Sequence, residues 1–208
     1  MRNLQFPTVA LLVSGGHTEL IVMKKFGNYK IIGETLDDAA GEAFDKVAKM
    51  LRIGYPGGPA ISKLAEKGDA RAIAFPRPMI QASSFNFSFS GLKTAVLYYL
   101  RDHPRFSPAD VAASFQTAAV DVLTAKTLRA MKKFRSKTLL IGGGVAANKK
   151  LQKQLSETLS MEIPDSRFMV PDRSLTGDNA LMIAIAAFFR KQKPPKSIRA
   201  DGSLRLAN

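Results

Sequence analysis

The 208-residue chain contains no cysteine and no tryptophan, and only two histidines. Without thiols there is no disulfide scaffold, no thiolate metal site and no cysteine nucleophile. Such a chain suits a reducing compartment, and a cytoplasmic location is expected. With His17 and His103 as the sole imidazoles, no H-x-x-x-H or H-E-x-x-H pair exists, so metalloprotease chemistry has no support. No G-x-S-x-G elbow is present for a Ser-His-Asp mechanism, and no G-x-x-x-x-G-K-[ST] loop for a P-loop nucleotide site. No apolar run approaches the roughly 18–20 residues of a membrane span. The opening Met1–Pro7 stretch reads as too short and polar for a signal peptide. Acidic residues are scarce, 17 against 31 Lys and Arg, which leaves a net charge of +14. That balance suits a polyanionic partner or simple solubility. The composition, 46% hydrophobic and 23% charged, is that of an ordinary globular protein with a real core.

Apolar patterning predicts an α/β fold. Val9–Val13 reads as a buried central strand, and Glu19–Met23 as its hairpin partner across Ser14-Gly15-Gly16-His17-Thr18. Tyr29–Ile32 forms a third strand. Asp37-Asp38 are expected to cap a helix with Ala40, Phe44, Val47, Ala48 and Leu51 on its apolar side. Gly54–Pro59 breaks that helix, and Pro59 opens another to about Glu66. Residues 70–91 show little periodicity; a helix follows at 92–101. Ser107-Pro108-Ala109-Asp110 starts a long helix. Thr138–Ile141, a helix with Leu151, Leu155 and Leu159, and Arg167–Val170 make a parallel crossover. A last helix spans about 179–190. The chain therefore divides into a β-meander with a phosphate-binding hairpin loop (1–35), a mainly helical segment (36–137), a βαβ nucleotide-binding unit (138–190) and a basic tail (191–208). A central strand at residue 9 with no preceding element to cover it predicts exposed apolar surface there, with association through it.

Two glycine-rich turns could hold a phosphate. In Ser14-Gly15-Gly16 the backbone could approach an anion with successive N–H groups, or the turn could simply need glycine. Gly142-Gly143-Gly144 follows a strand and enters a helix, where open α/β sheets bind ligands. Asp45 sits mid-helix, either solvated or facing a cleft where ribose hydroxyls would donate to it. Asn148 is a helix cap, a ligand contact or both. Asp178, after Thr176-Gly177, is a cap or a ligand for a divalent metal. His103 reads as a surface residue. Arg129, Lys132, Lys133, Arg135, Lys137, Lys149, Lys150, Lys153 and the tail are either solvated or phosphate-facing.

Six ordered motifs resemble a known family: Leu11–Thr18, Asp37–Lys46, Tyr55–Pro59, Phe87–Thr94, Gly143–Asn148 and Thr176–Ala184. The family is that of the tRNA threonylcarbamoyladenosine transferases (TsaD/Gcp, formerly O-sialoglycoprotein endopeptidases). The resemblance implies an actin/hexokinase/Hsp70-like two-lobed fold, here mostly its C-terminal part without the N-terminal lobe. It implies transfer of a threonylcarbamoyl group from its adenylate to N6 of the adenosine 3′ of the anticodon in tRNAs reading ANN codons. By the same resemblance Leu12, Val13, Ser14, Gly15, Gly16, Asp45, Gly58 and Asn148 line the adenylate site. Asp178 is the implied ligand of one divalent metal, iron(II) with zinc(II) as the alternative. The implied partners are tRNA, threonylcarbamoyl-AMP, a paralogous dimer partner and a small ATPase subunit, with no membrane.

Two features depart from the family pattern. Ser62 stands where the family has an acid in the helix after Pro59. The family's H-x-E-G-H pair and first phosphate loop are missing, a piece on the order of 100 residues. The chain is therefore expected to be an N-terminally truncated form, with weak or absent metal binding and little activity alone. A related small-molecule kinase and a non-catalytic partner subunit or RNA-binding homologue are the competing readings.

Overall fold

The computed structural model describes residues 4–172 and 180–190, all except the side chain of Arg190. A five-stranded sheet has the order β3-β2-β1-β4-β5. Its strands are β1 (Thr8–Val13), β2 (Thr18–Lys25), β3 (Asn28–Glu34), β4 (Thr138–Gly142) and β5 (Arg167–Met169). The first three form an antiparallel meander, and β4 and β5 run parallel to β1. The helices are α1 (Ala40–Met50), α2 (Gly57–Ala65), α3 (Ser90–Asp102), α4 (Pro108–Lys133), α5 (Lys149–Glu162) and α6 (Ala180–Arg190), with a 3-10 turn at Gly144–Ala147 before α5.

Period-two alternation sends Val9, Leu11 and Val13, all fully buried, to one face of the sheet. There they meet Leu20 and Val22 and the apolar sides of α1 and α4, in one core cluster with Phe44, Phe115 and Leu123. Phe44 and Phe115 pack edge to face at 5.0 Å. Helix α4 begins as its sequence requires: Pro108 at the first position and the Ser107 hydroxyl accepting from the Asp110 amide at 3.2 Å. The segment between α2 and α3 is irregular, yet it buries Phe75, Phe85, Phe87 and Phe89. Phe87 also bridges to Thr35.

Two expectations are corrected. Asp37 and Asp38 do not cap α1, because the helix starts later, with Ala39 at its N-cap. The Asp37 carboxylate instead accepts from the amides of Phe89 (2.8 Å) and Ser90 (3.3 Å), at the start of α3. Asp38 pairs with Lys46 (2.7 Å) and Lys93 (3.0 Å). Burial works to raise the Asp38 carboxyl, and the two ammonium groups outweigh it and hold it below the usual carboxylate range. Nor is β1 uncovered on both faces: strands β2 and β4 flank it and Val9, Leu11 and Val13 are buried in the core, while Ala10 and Leu12 on the opposite face are half-buried. Exposed apolar side chains gather on α6, where Leu181, Ile183 and Phe188 are more than half exposed, and occur singly elsewhere, as at Leu36, Tyr55 and Met161. Phe189 stacks on Phe26 at 5.4 Å, which ties that helix to the β2–β3 turn.

Candidate functional site

Strands β1 and β4 are parallel neighbours, and both end at the same edge of the sheet, with Leu12 opposite Gly142. The two glycine turns therefore emerge side by side. From this pair the connections part, β1 turning to β2 and β4 turning through α5 to β5. Such a switch point is where open α/β sheets hold ligands. Gly143 makes the approach possible. Its φ is 87°, and a Cβ there would overlap the Val13 carbonyl. A Cβ on Gly41 would likewise overlap the Ser14 carbonyl, to which the Gly41 amide donates at 3.1 Å. The Ala40 amide donates to Thr18 Oγ1 at 2.9 Å. The hairpin, the β4 turn and the start of α1 are thus locked together.

The hairpin is not the outward row of amides that its glycines suggested. Ser14 Oγ accepts from the amides of Gly16 (3.3 Å) and His17 (3.0 Å), and the Ser14 amide donates to the His17 carbonyl at 2.8 Å. A serine at the head of a tight turn bonds its own backbone, and two amides are turned inward by it. The Gly15 amide finds no protein acceptor among the described residues. The hydrogen of the Ser14 hydroxyl is also uncommitted, since that oxygen only accepts here. Around Gly15 and Gly16 a Cβ would meet nothing within 4 Å, so the outer surface of the loop is bare.

Asp45 stands on α1 and accepts from the Gly57 amide through Oδ1 at 2.7 Å. That bond caps α2, whose N-cap residue, Pro56, has no side-chain acceptor. Asp45 is half-buried, and its Oδ2 takes no protein donor among the described residues. Gly57 is buried at the crossing of α1 and α2, where a Cβ would overlap the backbone of Phe44 and Asp45. Gly58 is different, with open space where its Cβ would be and an orphan first-turn N–H.

Asn148 joins three helices. Its Oδ1 accepts from the Leu151 amide at 3.0 Å and caps α5. Its Nδ2 donates to Gln116 Oε1 at 2.9 Å and to Ser62 Oγ at 3.1 Å. Ser62 in turn donates to Gln116 Oε1 at 2.9 Å. Both amide hydrogens of Asn148 are spent on protein, and Oδ1 keeps a lone pair for a ligand donor. Ser62, the departure from the family pattern, is thus part of the network beneath the site. Gln116 was not anticipated. A glutamine inside the apolar sweep of α4 is the signal that could have found it, because a buried amide must be partnered.

The expected residues converge on one edge of the molecule. Leu12 and Val13 end β1, Ser14 to Gly16 form the loop, Gly58 and Asn148 stand at the starts of α2 and α5, and Asp45 stands in the middle of α1, bonded to the start of α2. Asp178 lies outside the described residues. Among the described residues no three His, Cys, Asp or Glu side chains group as a metal site. A shallow apolar hollow at Phe6, Pro7, Val22, Lys24 and Phe134 lies at the opposite end of β1 and shares no residue with this edge.

The basic surface is partly neutralised. Lys132 pairs with Glu162 at 2.6 Å, Lys137 with Asp165 and Lys153 with Glu157, both at 3.8 Å. Arg129 turns to the Ser84 carbonyl at 2.8 Å. Lys149 and Lys150 open α5, directly after Asn148. His103 is exposed, stacked on the Tyr99 ring.

The sequence profile of the tRNA N6-adenosine threonylcarbamoyltransferase family matches residues 1–185. The tRNA N6-adenosine threonylcarbamoyltransferase of Listeria welshimeri is 49% identical over 97% of this chain and 60% of its own length. That of Bacillus licheniformis is 50% identical over 89% and 55%, and that of Geobacillus kaustophilus 50% over 98% and 61%. The chain thus spans about 60% of the length of the curated relatives it matches. Among solved structures, HypF of T. kodakarensis superposes with a TM-score of 0.66 over 88% of this chain and 33% of that one. At 14% identity that likeness concerns the fold alone, α/β of the actin/hexokinase/Hsp70-like kind.

Proposed function

The chain belongs to the tRNA N6-adenosine threonylcarbamoyltransferase family, and on that premise we propose that its glycine-lined edge binds the adenylate moiety of threonylcarbamoyl-AMP for transfer of the acyl group to tRNA. One observation carries the reading. Free hydrogen-bond donors gather at the hairpin, in the Gly15 amide and the Ser14 hydroxyl, while free acceptors lie on the adjoining helices, in Asp45 Oδ2 and Asn148 Oδ1. A phosphate only accepts, and ribose hydroxyls and the adenine amino group donate. A nucleotide laid across the bare glycines matches that polarity end to end.

The donor is a mixed carbamic–phosphoric anhydride. The adenosine N6 forms a new N–C bond to the carbamoyl carbon, the bond from that carbon to the phosphate oxygen breaks, and AMP leaves with the electron pair. The N6 proton passes to solvent. Negative charge grows on the departing phosphate, so donors at the hairpin stabilise the transition state more than the ground state. The nucleophile arrives with the RNA, consistent with a chain that carries no cysteine. Lys149 and Lys150 open α5 beside Asn148, and in this reading their ammonium groups supply salt-dependent contacts to the RNA backbone. Asp178 is the one ligand the family resemblance assigns to this chain, and transfer by the chain alone is expected to be slow.

The test is calorimetric titration of the chain with AMP, adenosine and inorganic phosphate. AMP is expected to bind more tightly than either fragment, and Asp45→Ala and Ser14→Ala are each expected to weaken it about tenfold, roughly one charge-assisted hydrogen bond. Equal, non-saturating heats for all three ligands contradict the reading. Incubation with tRNA and threonylcarbamoyl-AMP labelled in its acyl group then tests transfer, and a parallel incubation with γ-labelled ATP and a small hydroxylated or carboxylated acceptor tests phosphoryl transfer; no label on tRNA in the first with labelled phosphoester in the second favours a kinase.

A further inference from the structure

We infer that Gln116 is a positioning residue that anchors the Asn148 side-chain amide in the place where an adenylate meets its oxygen; the inference rests on the adenylate reading above. Gln116 lies in α4 and is 5% exposed, below the loop and helix starts that form the site. A side-chain amide can present either its oxygen or its nitrogen by a half-turn about its last bond, and the two ends differ little in shape. At Asn148 the choice is settled by a backbone donor, and a second partner of the opposite kind anchors the other end. The Leu151 amide can only donate, so it takes Oδ1. Gln116 Oε1 can only accept, so it takes Nδ2. Ser62 adds a second acceptor for Nδ2, and donates its own hydrogen to the same Gln116 oxygen.

Reversing Asn148 would place Nδ2 against the Leu151 N–H, a backbone donor that cannot turn. The Leu151 amide therefore sets the polarity of Asn148, and the buried Gln116 oxygen, bonded to Nδ2, holds the side chain in place and leaves an acceptor for the ligand. Gln116 itself touches no ligand in this account. Its three-helix contact also explains why a polar residue sits within a helix buried on nearly every side, next to Phe115 in the core.

The test compares wild type with Gln116→Met, Gln116→Glu, Asn148→Ala and the double variant Gln116→Met/Asn148→Ala, with AMP as the probe. Gln116→Met keeps the volume and removes the acceptor; Gln116→Glu keeps an acceptor. Gln116→Met is expected to weaken AMP binding about tenfold, while Gln116→Glu stays within about threefold of wild type. The double variant is expected to bind no worse than Asn148→Ala, the non-additivity of two residues acting as one unit. In heteronuclear NMR the Asn148 side-chain amide protons are expected to be slow to exchange in the wild type and to shift and exchange faster in Gln116→Met.

Additive losses in the double variant, or unchanged Asn148 side-chain resonances in Gln116→Met, overturn the inference whatever AMP does. An Asn148→Ala variant that binds AMP as wild type does takes down the adenylate reading, and this inference with it. If Gln116→Met does not fold, the wild-type exchange rate decides alone: Asn148 amide protons that exchange as fast as those of an exposed asparagine overturn it.

Discussion

The hairpin loop at 14–17 and the junction of α2, α4 and α5 border the same space, yet they are built in opposite ways. The loop is exposed, closed by backbone and Ser14 bonds, and bare of side chains where Gly15 and Gly16 turn outward. The junction rests on the buried Gln116, is closed by side-chain amides, and ties three helices together. The difference teaches where binding and stability part company. Changes in the loop should alter the ligand and spare the fold. Changes in the junction should alter both.

The largest effect is expected where the two regions meet. Gly143→Ala places a Cβ on a residue with φ of 87° and into the Val13 carbonyl, so urea unfolding should show a loss on the order of 3 kcal/mol. A loss under about 0.5 kcal/mol would mean that the two turns are not in contact. Next comes Asn148→Ala. It removes the cap of α5 and leaves the Gln116 oxygen with one donor fewer, for a combined cost of roughly 2–3 kcal/mol.

Helix α4 offers a third contrast through pH. Lys126 is fully buried, bonds only the Ser84 carbonyl among the described residues, at 2.9 Å, and is pushed down to about 8 by burial, with Arg129 adding to it. Between pH 8 and the ordinary lysine value the unfolded chain holds the proton and the folded chain has lost it, so stability rises with pH across that window. Lys126→Met should abolish the rise, on the order of 2 kcal/mol, in denaturant midpoints measured from pH 7 to 10.5. Parallel pH profiles for the two proteins would show that Lys126 keeps an ordinary proton affinity. The smallest effect on the fold is expected at the loop. Gly15→Ala should change stability by less than about 0.5 kcal/mol yet weaken AMP about tenfold, because the methyl enters space that only a ligand would use. An unaltered affinity would place the ligand elsewhere.

Local signals account for what was legible in the sequence. Ser107-Pro108 marks a helix start through contacts within four residues, and Val9–Val13 marks a central strand through five successive apolar residues. The glycine turns were likewise visible, since φ at Gly143 and the tight hairpin are local demands. The misses are long-range. Asp37 caps a helix more than fifty residues away, which no spacing rule anticipates. Gln116 meets Asn148 across 32 residues, and its role becomes visible only when α2 and α5 are placed around it. Ser14 shows a subtler failure: the residues were right for an anion loop, but the hydroxyl took two of the amides for itself.

The central claim is that free donors at the hairpin, the Gly15 amide and the Ser14 hydroxyl, face free acceptors on Asp45 and Asn148, with a nucleotide between them. Backbone amide shifts of the isotope-labelled chain during AMP titration test it most directly. The account predicts saturable shifts that centre on Gly15, Gly58 and Asn148, with inorganic phosphate reproducing only the Gly15 part and adenosine only the Gly58 and Asn148 part. Shifts centred on the hollow at Phe6 and Phe134, or phosphate perturbing Asn148 more than Gly15, would contradict it.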